Sequence, residues 1–207
     1  ESLQEQRVAV TKAITEFHNF YQIHEVTPNI KNTILYINKI GDMRQGVDTF
    51  SIEFNKMFFD YYSQINTFLL KELETIGTIN SNSNISNLTY SLVSVYKNIE
   101  YLGQERGFVS KILSQYVPFS PKDFEIWISI FGVSNIFDHS TINDQATRTQ
   151  IENLYKLPEN IKLEEEITQV KAELIAAAQS GEYLIDPTLW FGLLTKKIDI
   201  LDKSAQI

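Results

Sequence analysis

Apolar residues recur along this chain at alternating steps of four and three, the spacing that gathers side chains on one face of a helix. The longest run is Leu88, Leu92, Val95, Ile99, Leu102, Arg106, Val109, Leu113 and Tyr116. A second is Leu3, Arg7, Val10, Ile14, Phe17 and Tyr21, and a third is Ile30, Thr33, Ile37, Ile40, Arg44 and Val47. No stretch alternates convincingly with period two, so strands are not expected. Boundaries come from the residues between the runs. Thr27-Pro28 and Ser120-Pro121 each offer a hydroxyl N-cap followed by proline at the first helical position. Asp48-Thr49, Asp144 and Asp186-Pro187 read as further caps, Ser180-Gly181 as a stop, and the polar stretch Thr78 to Asn84 as a loop. These signals predict helices over about 1–25, 28–47, 50–76, 84–117, 121–139, 144–156, 158–180 and 187–207. The expected class is all-α, with about eight helices in packed up-and-down four-helix bundles.

The arginines break the apolar pattern. Arg106 is the one charged residue in the longest stripe, and Arg7 occupies an equivalent place in the second. An unpaired charge inside a bundle is costly, so each guanidinium must find an anion, from the protein or from a ligand. The two stretches also resemble each other. At a constant offset of 99, Leu3, Arg7, Val10, Lys12 and Phe20 recur identically at 102, 106, 109, 111 and 119. Both are followed by the hydroxyl–proline turn. The expectation is an internal duplication, with pseudo-repeats over about 1–48 and 85–140 and one inward arginine in each. Arg44 is a third inward candidate, close to a helix end, where a solvated arginine is the ordinary alternative.

Composition narrows the possible functions. Hydrophobic residues at 43% of 207 positions allow a substantial core, and only eight glycines and five prolines leave long unpunctuated helices. A net charge of −8 argues against nucleic acid as a partner and requires any anion site to be local. There is no cysteine, which removes thiol catalysis and disulfides. His18, His24 and His139 lack metal-ligand spacing, and no phosphate loop or nucleophile elbow is present. No catalytic residue, metal or cofactor is expected. The chain starts and ends in mid-pattern, which reads as a segment cut from a longer protein.

Four stretches resemble the nitrate- and nitrite-sensing (NIT) domain of bacterial receptors. They are Leu3-Gln4-Glu5-Gln6-Arg7, the helix after Thr27, Gly103-Gln104-Glu105-Arg106-Gly107, and Asp186-Pro187-Thr188-Leu189-Trp190-Phe191 continuing to Asp199. The second is generic helix; the Gly-Gln-Glu-Arg-Gly motif and the Trp-Phe ending are the specific ones. The resemblance implies that residues 1–207 form one helical sensing domain outside the cytoplasmic membrane, in the periplasm, of an inner-membrane receptor. Transmembrane helices would flank it in the parent, a chemotaxis, cyclase or kinase module would follow, and a homodimer is expected. It also implies that inward arginines bind the oxyanion, and Arg7 and Arg106 fall on those positions. The first motif departs from the family, which often has an acid before this arginine and a glycine after it, or paired arginines.

Nitrate is small, planar and singly charged, and a guanidinium presents a planar fork of donors that meets such oxygens in pairs. Arg7 and Arg106, one per repeat, are expected to grip the anion together from two sides of a helical seam, with Gln6, Thr11 and Ser110 as neutral donors and Arg44 as an additional cation. Two alternatives stand beside this reading. A small-carboxylate sensor would use the same arginines with an apolar subpocket. A ligand-free helical dimerisation domain would pair the arginines with its own acids, among them Glu53, Glu72 and Glu74. An enzyme is the least supported class, since no nucleophile or acid–base set converges.

Overall fold

A computed structural model describes residues 3–79 and 82–207. The middle of the predicted loop, positions 80–81, lies outside the described residues, as do positions 1–2, where the first helix is expected to begin. Among the described residues there are nine helices and no strand, in agreement with the all-α expectation. Helix α1 is Leu3–Tyr21, α2 Pro28–Ile37 and α3 Ile40–Asp48. Helix α4 covers 54–79 and contains a π-helical segment, Phe58–Tyr62. The remainder are α5 Ser83–Gln115, α6 Pro121–Val133, α7 Gln145–Tyr155, α8 Pro158–Ala177 and α9 Pro187–Gln206. None is long and apolar enough to cross a membrane.

The caps explain most boundaries. The Thr27 hydroxyl accepts from the Ile30 N–H, Ser120 from Asp123, Asp144 from Thr147 and Asp186 from Thr188, each satisfying an amide the helix itself leaves open. Several boundaries differ from expectation: α1 ends at Tyr21 rather than near Glu25, and α4 runs to Ile79, into the predicted loop. The helix predicted over 28–47 is broken at Asn38 and Lys39, yet Ile37 and Ile40 still pack on the same apolar cluster. Phe50, expected to open the next helix, is 94% exposed with φ 53°, and α4 begins only at Phe54. Helix α6 stops at Val133, short of His139, because Asn98 on α5 takes the N–H groups of Ile136 and Phe137 at 2.8 and 3.2 Å and fixes a non-helical turn.

The chain forms two compact units, Glu1–Thr75 and Ile76–Ile207. In the first, Ile37, Tyr61 and Ile65 are buried, with Ile14, Phe17, Tyr36, Ile40 and Leu69 packed round them. Tyr61 donates its hydroxyl to the Tyr36 carbonyl at 2.6 Å, and burial pushes its pKa up to about 12. Helix α1 has no buried residue.

In the second unit α5 packs chiefly against α9 and then α6, while α8 packs on α9. Trp127 of α6 and Trp190 of α9 are fully buried, as are Leu102, Phe108 and Val109 of α5. Each such side chain contributes on the order of 1.5–3 kcal/mol by leaving water. The turn after α8 depends on Gly181, whose φ is +74° and where a Cβ would lie 2.7 Å from the Pro118 nitrogen. Gly181→Ala combines a left-handed strain of about 1–2 kcal/mol with that backbone clash. The expected result is a loss of at least about 2 kcal/mol, read as a lower urea midpoint at unchanged slope. An unchanged midpoint would show that this turn is not anchored against Pro118.

Candidate anion-binding sites

In the first unit, α1, the α2–α3 pair and α4 surround an open cavity of about 570 Å³. The stripe Leu3, Arg7, Val10, Ile14 and Phe17 faces it, as the sequence pattern predicts, with Ile37, Ile40, Val47 and Leu69 opposite. Gln6, Arg7 and Arg44 line the same space. Four of the six predicted site residues therefore gather here, since Thr11 accepts from Arg44 Nη1 at 3.0 Å. Arg44 Nη2 also donates to the Arg7 carbonyl at 3.4 Å, and the Thr11 hydroxyl donates to that same carbonyl at 2.7 Å.

Arg7 is already engaged. Its two terminal nitrogens donate to the two carboxylate oxygens of Asp48 at 2.9 and 2.8 Å, the bidentate geometry expected for an oxyanion. The hydrogen bond to Asp48 raises the Arg7 pKa and lowers that of Asp48. Asp48 is exposed, so water and salt weaken the pair. Asp48 reads from sequence as a cap; instead it closes α3 and neutralises one arginine. Arg44 has no carboxylate partner among the described residues. The phenol of Tyr62, part-buried on the same cavity, is raised by burial and lowered by Arg44 and Arg7.

In the second unit Arg106 lies half-buried on the flank of the α5–α9 contact. Its Nη1 donates to the Thr195 hydroxyl at 2.7 Å, and its guanidinium lies 4.3 Å from the centre of the Phe191 ring. The Thr195 hydroxyl passes its own proton to the Phe191 carbonyl, so it is free to accept from Arg106. Trp190 Nε1 donates to the Arg106 carbonyl at 3.1 Å and fixes the α5 backbone at this point. Burial lowers the Arg106 pKa, and Asp199 on α9 partly offsets this. The Nε of Arg106 is buried without a hydrogen-bond partner, and so is the Ser110 hydroxyl one turn further along α5. Each has hydrogen-bonding capacity that no neighbouring side chain or backbone group uses.

The deepest charge on α5 is not Arg106 but its neighbour. Glu105 is fully buried and accepts from Lys171 Nζ at 2.8 Å, Trp127 Nε1 at 3.1 Å and the Ser134 hydroxyl at 3.2 Å. Lys171 also lies 4.2 Å from the centre of the Phe131 ring. Burial lowers the Lys171 pKa, while Glu105 acts to raise it. The ion-pair partner of Glu105 is the lysine on α8. The available signal is Lys171 itself, which falls on the buried stripe Leu163, Ile167, Val170 and Leu174. Thr195 and Phe191 are likewise not anticipated as partners of Arg106. Among the described residues no His, Asp or Glu cluster could hold a metal.

Arg7 and Arg106 thus fall in different units, each with partners of its own, and Ser110 accompanies Arg106 while Gln6, Thr11 and Arg44 accompany Arg7. Compared with known protein families, the chain matches over residues 1–206 the model described as nitrate and nitrite sensing. The comparisons found no similar curated protein and no similar solved structure.

Proposed function

The chain belongs to the nitrate- and nitrite-sensing family, and from that membership we propose that it binds nitrate or nitrite at Arg106 and reports it by a small shift of α5 against α9. The observation that carries this reading is the pair of buried, unpartnered donors, Arg106 Nε and Ser110 Oγ. A planar anion beside them would accept from both while Thr195 and Phe191 hold the rest of the guanidinium in place. The surrounding apolar side chains, Leu102 and Val109, exclude water and strengthen the charge pairing. Arg7, with Gln6, Thr11 and Arg44, is the counterpart in the other repeated stretch, where Asp48 occupies the fork.

In the parent protein the domain sits outside the cytoplasmic membrane, held by flanking spans as the family pattern implies, and acts as a homodimer ahead of a chemotaxis, cyclase or kinase module. Signalling requires that nitrate bind one arrangement of α5 and α9 more tightly than another. Helix α9 carries the chain toward the following span, so a displacement there is passed on directly.

Thermal melting with and without nitrate tests the binding step. Ligand at about 100 times its dissociation constant stabilises by roughly 2.7 kcal/mol, which at this size is a rise of about 5–11 °C. Nitrate or nitrite should produce the shift, and chloride and acetate should not. A shift with acetate and none with nitrate would move the assignment to a small-carboxylate sensor. One observation favours a second reading, a ligand-free helical interaction domain: Arg7 is already paired internally. That reading predicts no response to any small anion.

A further inference from the structure

The cavity of the first unit is far larger than a four-atom anion requires. At about 570 Å³ it falls within the range of ~300–1,000 Å³ typical of sites for drug-sized molecules. Its walls are almost wholly aliphatic and aromatic. Among the described residues, the charged side chains lining it are two arginines, in a chain whose net charge is −8. Arg7 is neutralised by Asp48, which leaves one uncompensated positive charge, Arg44. Arg44 uses two of its five N–H groups, on the Thr11 hydroxyl and the Arg7 carbonyl, so three remain to meet an acceptor. The phenol of Tyr62 lines the cavity nearby, with no hydrogen-bond partner among the described residues. An apolar trough with a single cation at its polar end matches neither a bare oxyanion nor a neutral hydrocarbon.

We propose that this cavity is a second ligand site, which takes an amphipathic organic monoanion, a carboxylate with an extended apolar body. The carboxylate meets Arg44 and Tyr62, and the body lies against Val10, Ile14 and Phe17 of α1. Because α1 has no buried residue, a ligand along this face supplies much of the apolar cover that the helix lacks. Occupancy of the trough fastens α1 to α4. The site is independent of Arg106, so the family's oxyanion and a larger anion are sensed by separate units of one chain.

Calorimetric titration of the whole domain with a straight-chain series decides the matter. Acetate, octanoate and decanoate are compared below their micellar concentrations, with decanol as the uncharged control. One decanoate should bind per chain, acetate should not bind measurably, and affinity should rise by about fourfold for each added methylene until the trough is full. Decanol should bind at least tenfold more weakly than decanoate. Arg44→Gln should bring decanoate down to the decanol level, and Ala13→Phe, which fills the trough from α1, should abolish binding of both. Affinity independent of chain length, decanol equal to decanoate, or decanoate binding unchanged in both variants would each overturn the proposal. So would probe binding that fades as protein concentration rises, since a second copy of the chain would then be the occupant. Nitrate melting shifts recorded on the Ala13→Phe protein report the Arg106 site separately, so failure of one reading leaves the other standing.

Discussion

Replacing Glu105 with alanine will lower the stability of the second unit by about 3–5 kcal/mol. The carboxylate is fully buried and holds three donors, from Lys171, Trp127 and Ser134. Its removal strands the Lys171 ammonium, itself only 6% exposed, and orphans the indole N–H. Against a typical total of about 5–15 kcal/mol the loss is severe. The double variant Glu105→Gln with Lys171→Met keeps an acceptor for Trp127 and removes both charges, and should recover most of it. The pH dependence carries the sign of the stranded lysine. Burial lowers the Lys171 pKa, and in Glu105→Ala the raising influence of the carboxylate is gone. The folded pKa then falls further below the unfolded value of about 10.4. Between those two values the unfolded chain holds more protons, so stability rises with pH and the deficit of the variant shrinks as the solution becomes alkaline. Urea midpoints from pH 7 to pH 9.5 measure this. A deficit under about 1 kcal/mol, or one that grows with pH, would contradict the buried pair.

Much of the fold can be read in the residues that punctuate it. Thr27, Ser120, Asp144 and Asp186 cap where they are expected to, because a short side-chain oxygen ahead of a helix has few other uses. Gly181 stops α8 because only glycine accepts its backbone angle so close to Pro118. What the pattern misplaces is phase. A seven-residue repeat drifts by about 20° per heptad on a straight helix. The stripe from Leu88 to Tyr116 therefore slides off the core at both ends, where those two residues are 56% and 70% exposed. The true centre of the buried face runs through Asn98, Leu102, Glu105, Val109 and Ile112. Two of these are polar, so a hydrophobic pattern reads them as exterior. Their burial depends on partners far along the chain, the amides of Ile136 and Phe137 for Asn98 and Lys171 for Glu105.

The candidate sites divide in the same way. That Arg7, Val10, Ile14 and Phe17 share a face is local information, and they do share one. That Asp48 rather than Glu53 or Glu72 meets Arg7 is a choice among acids set by tertiary packing, and helical spacing says nothing about it. Glu72 is instead taken by the Thr27 hydroxyl at 2.6 Å. The two stretches that resemble each other in sequence place their arginines in different surroundings. One guanidinium faces a carboxylate, and the other faces a hydroxyl and an aromatic ring.

Arg106→Met should separate binding from stability. Methionine keeps an apolar stem against Phe191 and removes the buried N–H that has no partner. The hydrogen bond to Thr195 is lost, but so is the desolvation that lowers the guanidinium's pKa. The melting point of the ligand-free protein should therefore stay within about 1 kcal/mol of the wild type, or rise. Nitrate binding, in contrast, loses a charge-assisted hydrogen bond of about 1.5–3 kcal/mol, a weakening of about 10- to 150-fold. Arg106→Lys keeps the charge without the planar fork and should fall between the two. Ser110→Ala removes a single neutral donor and should weaken nitrate by about two- to tenfold. Titration of nitrate by melting shift on these three variants, with Arg7→Met beside them, locates the site. Loss in Arg106→Met with retention in Arg7→Met places the anion on α5. The reverse result would transfer it to the first unit, where nitrate would have to displace Asp48 from Arg7. An unchanged nitrate response in both methionine variants would remove the motif arginines from the mechanism altogether.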